Sequence, residues 1–256
     1  MKKIIFRADD LGYSEGVNLG IAKTVKKGLV RTVGWIVNLE HSEEGFRMLP
    51  DSEICLGLHV NISYGKPVTE AFALNSLVKE NGCFKASREY NRARENFVDY
   101  DEAFRETEAQ YRRFKEIAGR EPDYIEGHAV MNETYLQAVE AVAGKYGILY
   151  VPALTSPDAY CTIGGERVHF WMESMEEDYD PCKTFEKMCA VSRADVEVMV
   201  CHPGFVDDEL LAASSLLMPR VKEVAFLTRA DQRELLQAHH AECTTYRKLE
   251  SEEKQG

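Results

Sequence analysis

Residues 4–12 read Ile4-Ile5-Phe6-Arg7-Ala8-Asp9-Asp10-Leu11-Gly12, a mainly apolar run that stops at two adjacent carboxylates and a glycine. A short run of this kind, closed by turn-forming side chains, is the pattern of a buried strand entering a loop. A helix follows. Val17, Ile21, Val25 and Leu29 recur at helical spacing behind Ser14, a side chain suited to an N-cap, and Gly28 lies near the end.

The same order repeats downstream. Residues 32–39 predict a second strand, 42–49 a short helix and 54–62 a third strand. Residues 99–117 predict the strongest helix, with Ala103, Phe104, Tyr111, Phe114 and Ile117 on one side and Gly119 and Pro122 ending it. Strand, helix and strand follow over 124–128, 134–146 and 148–154. Residues 185–191 predict a helix, 196–201 a buried strand broken by His202-Pro203-Gly204, and 229–240 a last helix. Strands alternating with helices favour an α/β fold with a parallel sheet.

Two stretches depart from this rhythm. Residues 63–96 lose periodicity amid Gly, Pro, Asn and Ser, as in a long insertion with little regular structure, the kind of loop that carries function. A loop-rich stretch also surrounds Gly164-Gly165. Residues 247–256 carry charges and few apolar side chains, so a frayed tail is expected there. With no repeat or linker, residues 1–246 read as one domain.

Composition narrows the partners. The 256 residues hold 31 Lys plus Arg against 43 Asp plus Glu, a net charge of −12. No basic run is present to neutralise phosphates or an anionic membrane, so neither nucleic acid nor a membrane surface is expected. The seven cysteines are odd in number and form no Cys-x-x-Cys pair, as expected of free thiols in a reducing compartment. The apolar run after Lys2-Lys3 is too short for a signal peptide, and no stretch approaches the roughly 18 apolar residues of a membrane span. These features predict a cytoplasmic protein.

Four polar groups stand at the downstream ends of predicted parallel strands: Asp9-Asp10, His59 in Gly57-Leu58-His59-Val60-Asn61, His128 in Glu126-Gly127-His128, and His202 in Cys201-His202-Pro203-Gly204. Each has an ordinary reading by itself, as a turn former or a core histidine. Their shared position is the signal, because α/β active sites assemble at that end of the strands. Two His and one Asp are a usual ligand set for a catalytic divalent metal. The remaining Asp and His then suit the two proton transfers of amide hydrolysis. His41, His169, His239 and His240 fall in predicted helices or loops and read as surface or packing residues. Cys201 neighbours His202 on a strand, where successive side chains face opposite ways, which disfavours a nucleophilic pair.

These residues together resemble the YdjC-like family of carbohydrate deacetylases, which includes chitooligosaccharide deacetylase. The likeness is carried by Ala8-Asp9-Asp10-Leu11-Gly12, by Gly57-Leu58-His59-Val60-Asn61-Ile62-Ser63 with Gly65 and Pro67, by Asn81-Gly82-Cys83-Phe84, and by Cys201-His202-Pro203-Gly204-Phe205-Val206-Asp207. The resemblance implies a single-domain irregular (β/α) TIM-type barrel that removes the acetyl group from an N-acetylated amino sugar. It implies Asp10, His59 and His128 as metal ligands, Asp9 as catalytic base and His202 as the acid. The implied ion is Mg2+, while the ligand chemistry leaves Zn2+, Mn2+, Co2+ or Ni2+ open.

The chain departs from the family pattern after His128, where a histidine-rich run is replaced by Ala129-Val130-Met131-Asn132. It also departs at Arg7, where many relatives carry Asn, and at Phe205, where many carry Tyr. Two other readings therefore stand beside the leading one: hydrolysis of another amide or ester, and a non-catalytic sugar-binding barrel. Oligomeric state is not legible in the chain, and a homodimer is compatible with it.

Overall fold

The opening run forms β1 (Lys2–Leu11), which extends through both aspartates and is buried from Ile4 onward. A strand with every residue buried needs cover on both faces and partners on its edges. The computed structural model describes residues 1–50, 54–154, 158–191 and 193–253. After β1 come α1 (Glu15–Lys27), β2 (Thr32–Trp35), α2 (Ser42–Met48), β3 (Cys55–Val60), α3 (Ser87–Asn91), α4 (Tyr100–Ala118), β4 (Tyr124–Gly127), α5 (Glu133–Tyr146) and β5 (Leu149–Tyr150). The chain continues with β6 (Tyr160–Ile163), β7 (Glu166–Trp171), α6 (Pro181–Val191), β8 (Val196–Cys201), α7 (Asp208–Ala213), α8 (Met218–Leu227), α9 (Gln232–Ala238), β9 (Ala241–Cys243) and α10 (Tyr246–Glu253).

The helices start and stop where their side chains allow. Ser14 caps α1 by accepting from the Val17 amide, Asp99 caps α4 from Glu102, and Asn132 caps α5 from Tyr135. Gly119 and Gly147 end α4 and α5 in the left-handed conformation that glycine adopts without a steric cost.

The chain divides into two compact units, Met1–Gly34 with Glu44–Cys55 and Leu154–Gly256, and Trp35–Glu43 with Leu56–Ala153. In the first unit the strands run β1-β8-β7-β6, and β9 also pairs with β1. All these pairs are parallel except β6 and β7. In the second unit β3, β4 and β5 pair in parallel. Across that sheet, Gly57 is required by Tyr124, since a Cβ there would lie 2.3 Å from the tyrosine ring. Trp35 and Phe114 pack with ring centroids 5.0 Å apart.

The expected α/β alternation is present, with several corrections. The second strand stops at Trp35 rather than residue 39. The stretch around Gly164-Gly165 is the turn of an antiparallel hairpin, both glycines having positive φ. His169 lies in β7 rather than a helix or loop, buried 3.2 Å from Glu197.

The expected frayed tail is also corrected, because residues 246–253 form α10 and only residues 254–256 of it lie outside the described residues. Three contacts explain the order: Leu249 is fully buried, Arg247 donates to the Ile54 carbonyl at 2.7 Å, and Lys3 pairs with Glu252 at 2.9 Å. One buried leucine per two turns escapes a composition-based reading of a charged segment. Among the described residues, no helix is long and apolar enough to cross a membrane.

Candidate active site

Of the residues singled out in the sequence, Asp9, Asp10 and His202 belong to the first unit. The last register pair of β1 and β8 is Ala8 with Cys201, so the aspartates and His202 each follow directly on that level. Arg7, two residues before Asp9 and on the same face of β1, pairs with Asp9 at 2.8 Å, and both are buried. The guanidinium also lies over the Phe170 ring and reaches the Tyr246 hydroxyl at 3.4 Å.

Asp10, the penultimate residue of β1, has φ of 77°, a conformation that aspartate tolerates better than most residues. Its carbonyl accepts from the Tyr13 amide, and its carboxylate pairs with Arg220 at 2.7 Å. His202 is held through its main chain: its N–H donates to Glu223 Oε2 at 2.6 Å, and its carbonyl accepts from Arg220 Nη1 at 3.2 Å. Its Nδ1 lies 3.3 Å from Ser174 Oγ. Burial raises the Glu223 carboxyl to about 8, offset in part by hydrogen bonds from Tyr179 and the His202 amide. Gly20 lets α1 approach the turn, since a Cβ on it would meet the Gly204 Cα at 2.5 Å.

His59 and His128 belong to the second unit. His59 sits in β3 opposite Glu126 of β4, and its Nδ1 is 3.4 Å from the Glu126 carboxylate. His128 follows β4 and is tied by its amide to the Val60 carbonyl at 2.8 Å. The two rings meet edge to face, with His59 Nε2 3.1 Å from His128 Nδ1. Imidazole nitrogens sharing one ion at about 2.0–2.1 Å lie about 2.9–3.4 Å from each other, so this separation fits two ligands of one cation. The Glu126 carboxylate lies on the Nδ1 side of His59, and Nε2 is the nitrogen that faces His128. Ala129, next in the chain, has φ of 54°, an uncommon conformation for alanine.

The insertion is anchored beside His128. Asn91 bonds the Ala129 carbonyl and the Met131 amide, and Asn96 bonds Asn132 and Thr134. Asn61, after β3, accepts from the Ser63 and Tyr64 amides and organises the start of that loop. Cys201 is buried, which pushes its thiol well above the ordinary value and away from nucleophilic use.

Sequence reasoning missed Arg220, Glu223 and Ser174, which lie in stretches with no chemical motif. Glu126 was the one with a usable signal, a carboxylate in a short buried strand two residues before His128. Carboxylate oxygen and imidazole nitrogen are together a donor set for a divalent cation; Asp9 and Asp10 offer carboxylates in the first unit, and His59, His128 and Glu126 offer imidazoles and a carboxylate in the second.

Carboxylates and imidazoles at the downstream ends of parallel strands define a hydrolytic enzyme of α/β fold. The chain belongs to the YdjC-like protein family, whose sequence profile it matches over residues 3–238. It is 30% identical over 257 residues to a carbohydrate deacetylase of Vibrio cholerae, covering 96% of each chain. It is 27% identical over 232 residues to a carbohydrate deacetylase of Halalkalibacterium halodurans, covering 89% of this chain and 95% of the relative. A crystal structure of an Enterococcus faecalis V583 protein named for cellobiose-phosphate cleavage shares the fold, with a TM-score of 0.83 at 25% identity over 97% of this chain and 98% of the other.

Proposed function

We propose that this chain removes the N-acetyl group from an N-acetylated amino sugar or chitooligosaccharide by metal-dependent hydrolysis. The observation that carries the reading is the pairing of Ala8 with Cys201, which puts Asp9-Asp10 and His202 at one level on adjacent parallel strands. Base and acid are both needed to hydrolyse an amide, and one sheet edge offers both. The carbohydrate deacetylases among the relatives supply the substrate class.

In this reading Asp10, His59 and His128 hold the cation, as the family resemblance implies. Bound there, a divalent ion supplies Lewis acidity, acidifying water and polarising the acetamide oxygen. Asp9 takes the proton of the attacking water, its carboxylate oriented by Arg7. His202 gives a proton to the sugar nitrogen as the C–N bond breaks, so the products are acetate and a free amine. Ser174 engages Nδ1, which assigns Nε2 to that transfer. Glu126 orients His59 as a ligand.

The ion proposed is Mg2+, as the family resemblance implies, with Zn2+, Mn2+, Co2+ and Ni2+ the alternatives that imidazole donors favour. Residues 1–246 act as one catalytic domain with the irregular (β/α) barrel of the family, in the cytoplasm. Acetate release from N-acetylated chitooligosaccharides by the metal-loaded protein tests the reading. Background release from the sugar together with cleavage of another amide or ester would replace the sugar assignment.

A further inference from the structure

Helix α8 reaches both Asp10 and His202 with one side chain. Arg220 is buried, and its three nitrogens go to three different acceptors: Nε to the Leu216 carbonyl at 3.0 Å, Nη1 to the His202 carbonyl at 3.2 Å, and Nη2 to Asp10 Oδ2 at 2.7 Å. Nearly one turn further along α8, Glu223 Oε2 accepts the His202 N–H at 2.6 Å while Oε1 accepts the Tyr179 hydroxyl at 2.8 Å. The peptide groups on both sides of His202 are therefore gripped by one helix. The guanidinium that takes the His202 carbonyl also takes the Asp10 carboxylate.

A guanidinium is a rigid planar fork whose nitrogens cannot move independently. With Nε fixed at Leu216, a displacement of the Asp10 carboxylate is passed to the His202 carbonyl. A lysine ammonium is a point charge on a flexible stem and cannot span both acceptors in this way.

We propose that Arg220 is a positioning residue that couples the Asp10 carboxylate to the His202 turn, with Glu223 completing the grip, so that cation binding at Asp10 orders His202. The inference rests on the reading of Asp10 as a ligand and His202 as the acid. Arg220 acts through these two residues.

The test uses the full chain, Arg220→Lys and Glu223→Ala, with Zn2+ as a diamagnetic probe. Calorimetry gives the Zn2+ dissociation constant, the His202 main-chain amide resonance is followed through the titration, and kcat and KM are measured for acetate release. In the wild type, Zn2+ shifts the His202 amide. Arg220→Lys binds Zn2+ about 10-fold more weakly, its His202 amide no longer responds, and kcat falls at least about 10-fold while KM stays within about twofold. Glu223→Ala, which removes the acceptor of the His202 N–H, keeps the Zn2+ affinity but loses kcat.

Wild-type Zn2+ affinity and an intact His202 response in Arg220→Lys would overturn the proposal, as would a loss of thermal stability alone in both variants. If Arg220→Lys does not fold, an unchanged kcat and an unchanged His202 resonance in Glu223→Ala overturn it instead. A wild type that releases no acetate defeats the deacetylase reading, while the Zn2+ constants and the amide response still decide the coupling.

Discussion

His59 Nε2 and His128 Nδ1 lie 3.1 Å apart, with the Glu126 carboxylate 3.4 Å from the other nitrogen of His59. Two imidazoles brought this close share either a proton or a cation, and the carboxylate behind His59 raises its basicity for the second role. His128→Ala is predicted to lose both bound metal and turnover. Glu126→Gln is predicted to fold and to weaken metal binding about 10–100-fold. Metal content after dialysis against a weak chelator checks both.

The approach of α1 to the His202 turn sets a second prediction. Gly20 faces Gly204 so closely that a Cβ would lie 2.5 Å from a main-chain atom, which cannot rotate away as a flexible side chain could. Gly20→Ala is expected to cost about 1–3 kcal/mol, the range for overpacking, and to lower kcat by displacing His202. Urea unfolding and steady-state kinetics read the two effects separately.

Helix α10 is part of the folded structure. Leu249 is fully buried, and Tyr246 reaches Arg7 with its hydroxyl. Leu249→Ala should therefore cost about 2–4 kcal/mol, as core truncations of this size do, where a frayed tail would cost nothing measurable. Chemical denaturation distinguishes these.

Glu223 gives the protein a specific pH dependence. Burial raises its folded carboxyl from 4.5 to about 8, so between these values the folded state holds a proton that the unfolded chain has lost. Its contribution to stability is present below about pH 4.5, declines as pH rises toward 8, and is flat beyond. Glu223→Gln stays neutral throughout. Relative to that variant, the wild type should lose stability from pH 5 to pH 8, by at most a few kcal/mol. Parallel unfolding titrations at the two pH values check the sign.

Much of the strand-and-helix order was legible because β1, α1, α4 and α5 combine clear periodicity with real caps, Ser14, Asp99, Asn132, Gly119 and Gly147. The hairpin of β6 and β7 was not, because its pairing is a tertiary fact and Gly164-Gly165 alone reads as a loop. Helices α7 and α8 and strand β9 were missed as well, α7 and β9 being only six and three residues long, too short for a period to emerge. At the site, Asp9, Asp10, His59, His128 and His202 stood out because polar groups ending apolar strands break a pattern. Arg220 and Glu223 break none, since their role depends on where α8 lies against the first unit's strands.

The most direct measurement is acetate release from an N-acetylated chitooligosaccharide by metal-loaded wild type and by metal-loaded Asp9→Asn, with the metal content of both determined in parallel. The account predicts that Asp9→Asn keeps its metal and loses turnover by about 10²–10⁴-fold, the contribution of a general base. Equal acetate release by the two proteins would contradict it.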